Sequence, residues 1–479
     1  MATAHHSEES EGDTRRKRRL RDRDSSAGDT RRKRRLGDRD WRLRDVEWYQ
    51  KRGTKAKPPT VAQSRDLLPP SSDDDRSAKV QAMVGEHVRR MLAVHAEKKR
   101  LVDEFNRSIF EESVLTVETR FGDINDGSTE SLKARKVAMM ITRSVVSLSS
   151  FSGKKRIRVC SGFMICWKNN SQRRMVITSA TLIRSLNSDN VMVSDLTVKV
   201  LLPNGTITRG YVFLVDFHYN VAVVEIRSDL KLPDITLAKD IVDKGDVLAF
   251  GRSYEGGDIM CSRGTIMSRT STLGCSDLLV SNCKISMAGV GGPLVDYNGH
   301  FLGINFYEEN QTSFLSMAIV SRILEHHQRF GKTILPWLGL NYYALETVPL
   351  GVLERIYQKF PDVDKGLYIS DVAPGSPADV AGLCAGDVLV RCNGEVISTT
   401  PQFGAVLLDT CKQHAETHDW VNTRDYSRKS IAIQVVIKQE RDGSTISKCI
   451  SADVLKDFHY NRWPAPMPSY KARWINVTR

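Results

Sequence analysis

The stretch SNCKISMAGVGGPLVDYNGHFLGINF, residues 281–306, decides how the rest of the chain is read. Gly291, Gly292 and Pro293 make a turn that most side chains would resist, because glycine alone takes positive φ at little cost. PLVD after it, and HFLGINF beyond Asn298-Gly299, are short apolar runs bounded by turn residues, as expected of paired strands. In the middle of the turn, between Gly289 and Gly291, stands Val290.

Outward from this stretch the same period continues. RVCSGFMICW (158–167) reads as a strand, Asn169-Asn170 as a turn, and RMVITSA (174–180) as the returning strand. In DLTVKVLL, Leu196, Val198, Val200 and Leu202 share one face; Pro203-Asn204-Gly205 then turns the chain into TITRGYVFLVDF. VAVVEI, GDVLAFGRS, SRGTIMS, DLLVSN and SFLSMAI extend the pattern. From about Val137 to His327, many short strands with glycine turns and no βαβ alternation predict an all-β barrel or sandwich.

With 479 residues the chain is long enough for two or three domains. Its net charge of +13 is concentrated at one end: residues 1–57 hold 19 basic and 11 acidic side chains, net +8. A 16-residue repeat produces this, GDTRRKRRLRDRD from Gly12 and GDTRRKRRLGDRD from Gly28. Such a charge block buries no apolar surface, so it is expected to be a disordered tail. It suits nuclear import or a weak, sequence-independent contact with nucleic acid phosphates, or simply a solvated duplication. Pro58-Pro59, Pro69-Pro70 and Asp73–Asp75 mark a linker, giving a tail and linker over 1–79. Val80, Met83, Val84, Val88, Met91 and Leu92 recur at helical spacing, so 80–136 is expected to be a helical or irregular connector. No apolar run reaches membrane-spanning length and no signal peptide is visible, which predicts an intracellular protein of the nucleus or cytoplasm without a membrane span. The nine cysteines are scattered and none has ligand spacing, so they are read as reduced thiols, with no metal site. No cofactor is implied.

The ordered landmarks carry a resemblance. VCSGFMI, ITSATLI, DFHYNVAVVEI and the 281–306 stretch resemble, in order and rough spacing, the G-S-G-F/V-I-I, L-T-N-A-H-V-V, D-x-x-x-D-L-A-V-L-K-I and G-N-S-G-G-P-L segments of the HtrA/Deg (protease Do-like) serine peptidases. The resemblance implies a trypsin-like pair of six-stranded barrels over 137–330 with the active site between them. It places the catalytic histidine position on Thr181, the aspartate position on Asn220 and the serine position on Val290. Valine has no proton or lone pair to attack with, a threonine hydroxyl is no base near neutral pH, and a neutral amide cannot stabilise an imidazolium. What remains is the turn Gly289, Val290, Gly291, expected to present amides like a vestigial oxyanion hole. His218, Ser179, Ser286, Cys283 and His300 lie near the landmarks, but none completes a nucleophile–base pair by its spacing.

KGLYISDVAPGSPADVAGLCAGDVLVRCNGEVI (365–397) resembles a PDZ domain of the same family, through its A-P-G-S-P-A-x-x-A-G-L-x-x-G-D-V-L run. Ser376 is a helix cap with Pro377 at the first position and Gly382 at the end, and Asn393-Gly394 is a hairpin turn. The unit is placed over 335–456, with an insertion at 412–430 and a tail over 457–479. Such domains add a peptide strand at a sheet edge and hold its terminal carboxylate on loop amides. WLGL offers Leu338, Gly339 and Leu340 for that role, with Ile369 on the strand of GLYISDV; Gln402 and Phe403 begin the flanking helix. The plainer alternative is a groove closed by docking on the barrels.

Three functions follow. The first is a catalytically inactive homologue that binds polypeptides or protein C-termini, as a monomer or homo-oligomer. The second is an active serine-type endopeptidase of protein quality control with a non-standard site. The third is a nucleic-acid scaffold acting through its tail. DFHYN occurs at Asp216 and again at Asp457, without a physical account.

Overall fold

The computed structural model describes residues 121–122, 124, 127–166, 173–185, 191–230, 236–238, 240–418 and 430–454. The basic repeat, the linker, the Val80–Leu92 stretch, the Asn169-Asn170 turn and the tail after 454 lie outside the described residues.

Helix α1 (Thr129–Ile141) opens the described body. The Ser128 hydroxyl accepts the Ser131 amide at 3.1 Å and caps it. Ala134, Val137, Ala138 and Ile141 are its buried face. Helical spacing therefore runs past Val137, where the two-residue period was expected to begin, and the first strand starts at Val145.

Strands β1 (Val145–Ser152), β2 (Lys155–Cys166), β3 (Arg173–Ser179), β4 (Leu196–Leu201), β5 (Ile207–Asp216) and β6 (Val221–Arg227) close into a barrel in the order β1-β2-β3-β6-β5-β4. The Pro203–Thr206 turn is held by the Asn204 side chain, which accepts the Thr206 amide, with Gly205 at φ +80°. Strands β7 (Asp246–Arg252), β8 (Ile259–Met267), β9 (Leu278–Ser281), β10 (Pro293–Val295), β11 (Phe301–Tyr307) and β12 (Thr312–Ser316) close a second barrel, β10-β11-β12-β9-β8-β7. Closure removes the sheet edges that would otherwise invite aggregation. Phe163 of β2 and Phe301 of β11, both fully buried, join the barrels with ring centroids 4.9 Å apart. Burying one such side chain contributes about 2–3 kcal/mol.

Met317 does not continue the last strand. Ser316 turns and caps α2 (Met317–Phe330) by accepting the Ala318 amide, and Gly331 ends the helix at φ +74°. SMAI is therefore the first turn of a helix, because a serine cap followed by apolar residues at helical spacing overrides the strand period.

The third unit contains β13 (Leu340–Ala344), α3 (Leu350–Lys359), β14 (Leu367–Val372), α4 (Pro377–Val380), β15 (Val388–Cys392), β16 (Glu395–Val396), α5 (Thr400–Thr417), β17 (Ser430–Lys438) and β18 (Thr445–Asp453). Its sheet runs β13-β14-β15-β17-β18, with β16 paired to β15, so among the described residues one edge of β13 is unpaired. Ser376 caps α4 through the Asp379 amide and Pro377 follows it. Asn393 and Gly394, at φ +47° and +87°, make the mirror-image turn that hairpins favour. Residues 412–417 belong to α5 rather than to an insertion.

Helix α5 serves two cores. Phe403, Leu407 and Cys411, four residues apart, enter the core of the third unit, whereas Ala405 and Leu408 enter the barrel core. The Arg322 guanidinium of α2 grips Asp409 from two nitrogens, at 2.9 and 2.7 Å. His326 Nε2 lies 3.1 Å from the Leu408 carbonyl while its Nδ1 accepts the Ile334 amide, which fixes a neutral ring with the proton on Nε2.

Candidate functional site: a cleft between the barrels and a cavity beside the third unit

Of the three positions that the resemblance aligns with catalytic residues, Thr181 and Asn220 touch each other, and the loop of the third, Val290, packs against the end of β3 beside them. After β3 the chain enters a 3-10 turn, Ala180–Leu182, capped by Ser179, whose hydroxyl accepts the Thr181 amide at 3.1 Å. Opposite, the 217–220 turn ends on Asn220, held at φ +54°, a conformation asparagine tolerates better than most residues. The Asn220 Nδ2 donates to Thr181 Oγ1 at 2.9 Å, and that hydroxyl returns a longer bond of 3.3 Å to Oδ1. Both side chains are buried and satisfied by each other. The pair keeps the adjacency of a base and its orienting partner while carrying neither group's chemistry.

Val290 ends the 3-10 turn Met287–Gly289 and its side chain is part of the barrel core. The next residue, Gly291, has φ +82°, and a Cβ there would fall 2.6 Å from Thr178 Oγ1 and 2.7 Å from the Ser179 amide. The loop is thus pressed against the end of β3, one residue before the Ala180–Leu182 turn.

The amides of this loop do not point outward, contrary to the expectation of a vestigial oxyanion hole. Gly289 N–H donates to the Ser286 carbonyl at 3.0 Å, Val290 N–H to Met287 at 3.2 Å and Gly291 N–H to Asn305 at 2.8 Å. The 3-10 turn rotates the peptide groups inward, where a carbonyl from the same turn accepts each of the first two. The Phe121 ring lies over the loop, 2.7 Å from where a Cβ on Gly289 would stand. Residue 121 is far from the landmarks in sequence and carries no motif that marks this role.

The other candidates separate. Ser179 is consumed as a cap. Cys283 is buried beside the Val247 carbonyl, and burial pushes its thiol up to about 11, away from thiolate chemistry. The Ser286 hydroxyl is buried without a partner and caps no amide of its turn. His300 sits at the surface, 2.8 Å from Asp296. His218 faces a different place, the seam between barrel and third unit.

At that seam lies a cavity of about 70 Å³, lined by Leu338, Gly339 and Leu340 of the WLGL loop, Tyr342 of β13, Phe403 and Leu407 of α5, and by His218, Tyr219 and Asp277 from the barrels. Among the described residues, the amides of Leu338 and Gly339 meet no acceptor. Gly339 stands at φ +76°, packed so closely on Ser376 that a side chain has no room. Tyr342 and Phe403 meet edge to face at 5.2 Å and form one wall. Ile369 is not part of the cavity: its strand, β14, lies between β13 and β15, and its side chain belongs to the core. Gln402 also points elsewhere, its amide tied to Ser398 and Val396.

The barrel's share of this cavity has no motif that announces it. Asp216 Oδ1 accepts the Tyr219 amide at 2.8 Å, its Oδ2 accepts the Thr333 hydroxyl, and His327 Nε2 stands 3.7 Å away. Burial raises this carboxyl, but the hydrogen bonds and the nearby imidazoles outweigh it and hold it below the usual carboxylate range. The turn so fixed aims Tyr219 at Asp277, hydroxyl to Oδ2 at 3.1 Å. Asp277 Oδ1 has no hydrogen-bond partner among the described residues. Its carboxyl rests on Gly404 of α5, where a Cβ would come within 2.6 Å. Burial pushes Asp277 up to about 7, with the Tyr219 bond opposing.

The comparisons agree with this architecture. Residues 160–304 match the trypsin-like peptidase domain, and residues 368–412 match the PDZ domain. The chain is 31% identical over 216 residues to the Arabidopsis thaliana "Putative protease Do-like 14", covering 42% of this chain and 49% of that protein. It is 30% identical over 259 residues to the human "Serine protease HTRA4", covering 50% of this chain and 51% of that protein. It thus spans about half the length of these relatives. The solved structure titled "HtrA-type protease AlgW with tripeptide" aligns with 68% of this chain and 98% of its own at 19% identity and TM-score 0.44. The chain is a homologue of the Do-like/HtrA serine proteases, a trypsin-like peptidase domain followed by a PDZ domain.

Proposed function

We propose that this chain binds polypeptide C-termini at its PDZ groove and does not cleave them. What carries the reading is the contrast between two loops. In the barrel cleft, the amides of Gly289, Val290 and Gly291 are taken by backbone carbonyls, and the nucleophile position is an aliphatic core residue. In the PDZ domain, the amides of Leu338 and Gly339 meet no acceptor among the described residues, and the loop that carries them lines an apolar cavity beside β13, the end strand of the described sheet. A peptide strand added at that edge places its terminal carboxylate on those amides and its last side chain in the cavity.

The test is digestion of unfolded casein by the purified full chain, with a fluorophosphonate probe in parallel. No turnover and no labelling is the expected result; turnover blocked by the probe would establish an endopeptidase instead. For the groove, a fluorescent peptide ending in valine should bind saturably and its C-terminal amide should not. Equal binding of the two would remove the carboxylate role.

A further inference from the structure

The PDZ cavity is walled by a second domain, and that domain brings a carboxyl group into it. Asp277 is 7% exposed. One of its oxygens accepts from Tyr219; the other has no donor. A buried, unpaired carboxylate oxygen is costly, and a neutral carboxylic acid avoids the larger cost of a buried charge. The same cavity is lined by Leu338 and Gly339, whose N–H groups have no acceptor among the described residues. An occupant able to satisfy both presents an acceptor to the amides and, to the free side of Asp277, a donor if that carboxyl is ionised or an acceptor if it is protonated. A peptide's terminal carboxylate does so if Asp277 carries a proton on Oδ1 and donates it.

We propose that Asp277 is a specificity residue of the PDZ groove, a neutral acid whose O–H donates to the ligand's terminal carboxylate, so that capture of a C-terminus takes up one proton. The inference rests on the groove reading above. When Asp277 is ionised, its charge opposes a second carboxylate in the same small cavity; when protonated, it becomes a donor. No bond other than hydrogen bonds changes: the proton comes from solvent and stays on the Asp277–carboxylate pair.

The groups facing Asp277 support this assignment. Its own loop brings Cys275, the β5–β6 turn His218 and Tyr219, and β13 Tyr342, while α5 presents only Phe403, Gly404 and Leu407. Burial holds His218 below the usual histidine range, opposed by Asp216, so it is uncharged between pH 6.5 and 8. Tyr219 and Tyr342 are pushed well up by burial and stay neutral there. The Asp277 carboxyl, at about 7, changes state within that window.

The experiment uses the full chain and a fluorescein-labelled ten-residue Gly/Ser peptide ending in valine with a free carboxylate. Wild type should bind it roughly tenfold more tightly at pH 6.5 than at pH 8, since only the protonated form binds and, with the carboxyl at about 7, its population falls by about that factor over this range. Asp277→Asn, whose amide donates the same hydrogen bond, should bind with pH-independent affinity near the wild-type value at pH 6.5. Calorimetry of wild type in two buffers of different ionisation enthalpy should show close to one proton taken up per peptide at pH 8, falling toward none below pH 6. This measurement needs no variant to fold. A pH-independent wild type, no proton uptake at pH 8, or a pH effect that survives in Asp277→Asn and disappears in His218→Gln would each overturn the proposal while leaving the groove intact. Absence of saturable binding by both wild type and Asp277→Asn at either pH would overturn the groove reading, and this proposal with it.

Discussion

Val290 can be exchanged for serine without exchanging its surroundings, which makes the single variant informative. In Val290→Ser the two aligned partner positions, Thr181 and Asn220, already satisfy each other and neither is a base near neutral pH, so neither abstracts the new hydroxyl's proton. Loss of a whole triad costs roughly a factor of 10⁶ in turnover, and one member does not restore it. The variant should show no fluorophosphonate labelling above wild type by in-gel fluorescence; strong labelling would mean that another base reaches the site. Asp277 makes a second residue-scale prediction. Its carboxyl is raised from the ordinary value to about 7 on folding, so the folded chain holds this proton more tightly than the unfolded chain. The resulting stabilisation is full below about pH 4 and is lost as pH rises through 7. Asp277→Asn should flatten the urea midpoint between pH 5 and 8 relative to wild type. An unchanged slope would place the titration elsewhere. Thr181, Asn220 and Val290 could be singled out in the sequence because each is flanked by local motif residues. Tyr219 and Asp277 were not, because their role is set by burial between segments 58 residues apart, and no local pattern encodes that.

Between elements, the informative contacts are the ones that a single atom upsets. In an ordinary helix Gly→Ala stabilises by about 1 kcal/mol. At Gly404 the added methyl would meet the Asp277 carboxyl, so the sign should reverse, with roughly 1–3 kcal/mol lost to overpacking. Urea unfolding of Gly404→Ala measures this; a more stable variant would show that the seam yields freely. Arg252 plays a comparable part between α1 and the barrels. Its Nε donates to the Val145 carbonyl at 2.7 Å and its Nη2 to the Thr142 carbonyl at 2.7 Å. Arg252→Ala leaves buried acceptors unpaired, and about 3 kcal/mol of stability should disappear in the same assay. Strands were readable from their period because alternation follows directly from one-sided burial. The start of α2 was not, since Ser313 to Ile319 is apolar enough for either state and only the cap at Ser316 chooses. The inward turn of the Met287–Val290 peptides was likewise invisible: a glycine loop of one sequence accommodates both peptide orientations.

On the scale of the whole chain, charge and binding are separately placed. The Arg-rich repeat at Gly12 and Gly28 supports a proposed contact with nucleic acid that is electrostatic and independent of the PDZ groove. Removing residues 1–57 should abolish retention on heparin or duplex DNA and leave peptide affinity unchanged; retention by the truncated chain would assign the contact to the body. The second DFHYN lies outside the described residues, whereas the first is the turn that carries Tyr219 and Asn220 side by side. That adjacency ties the wall of the PDZ cavity to the Thr181–Asn220 pair. The cavity itself, at about 70 Å³, has the WLGL loop on one side and the barrel residues Tyr219 and Asp277 on the other. Its consequence is that one ligand can brace two domains. Saturating peptide should therefore slow hydrogen exchange in the 275–277 loop of the barrel as well as in WLGL. Protection confined to WLGL would show that the barrel wall is not engaged.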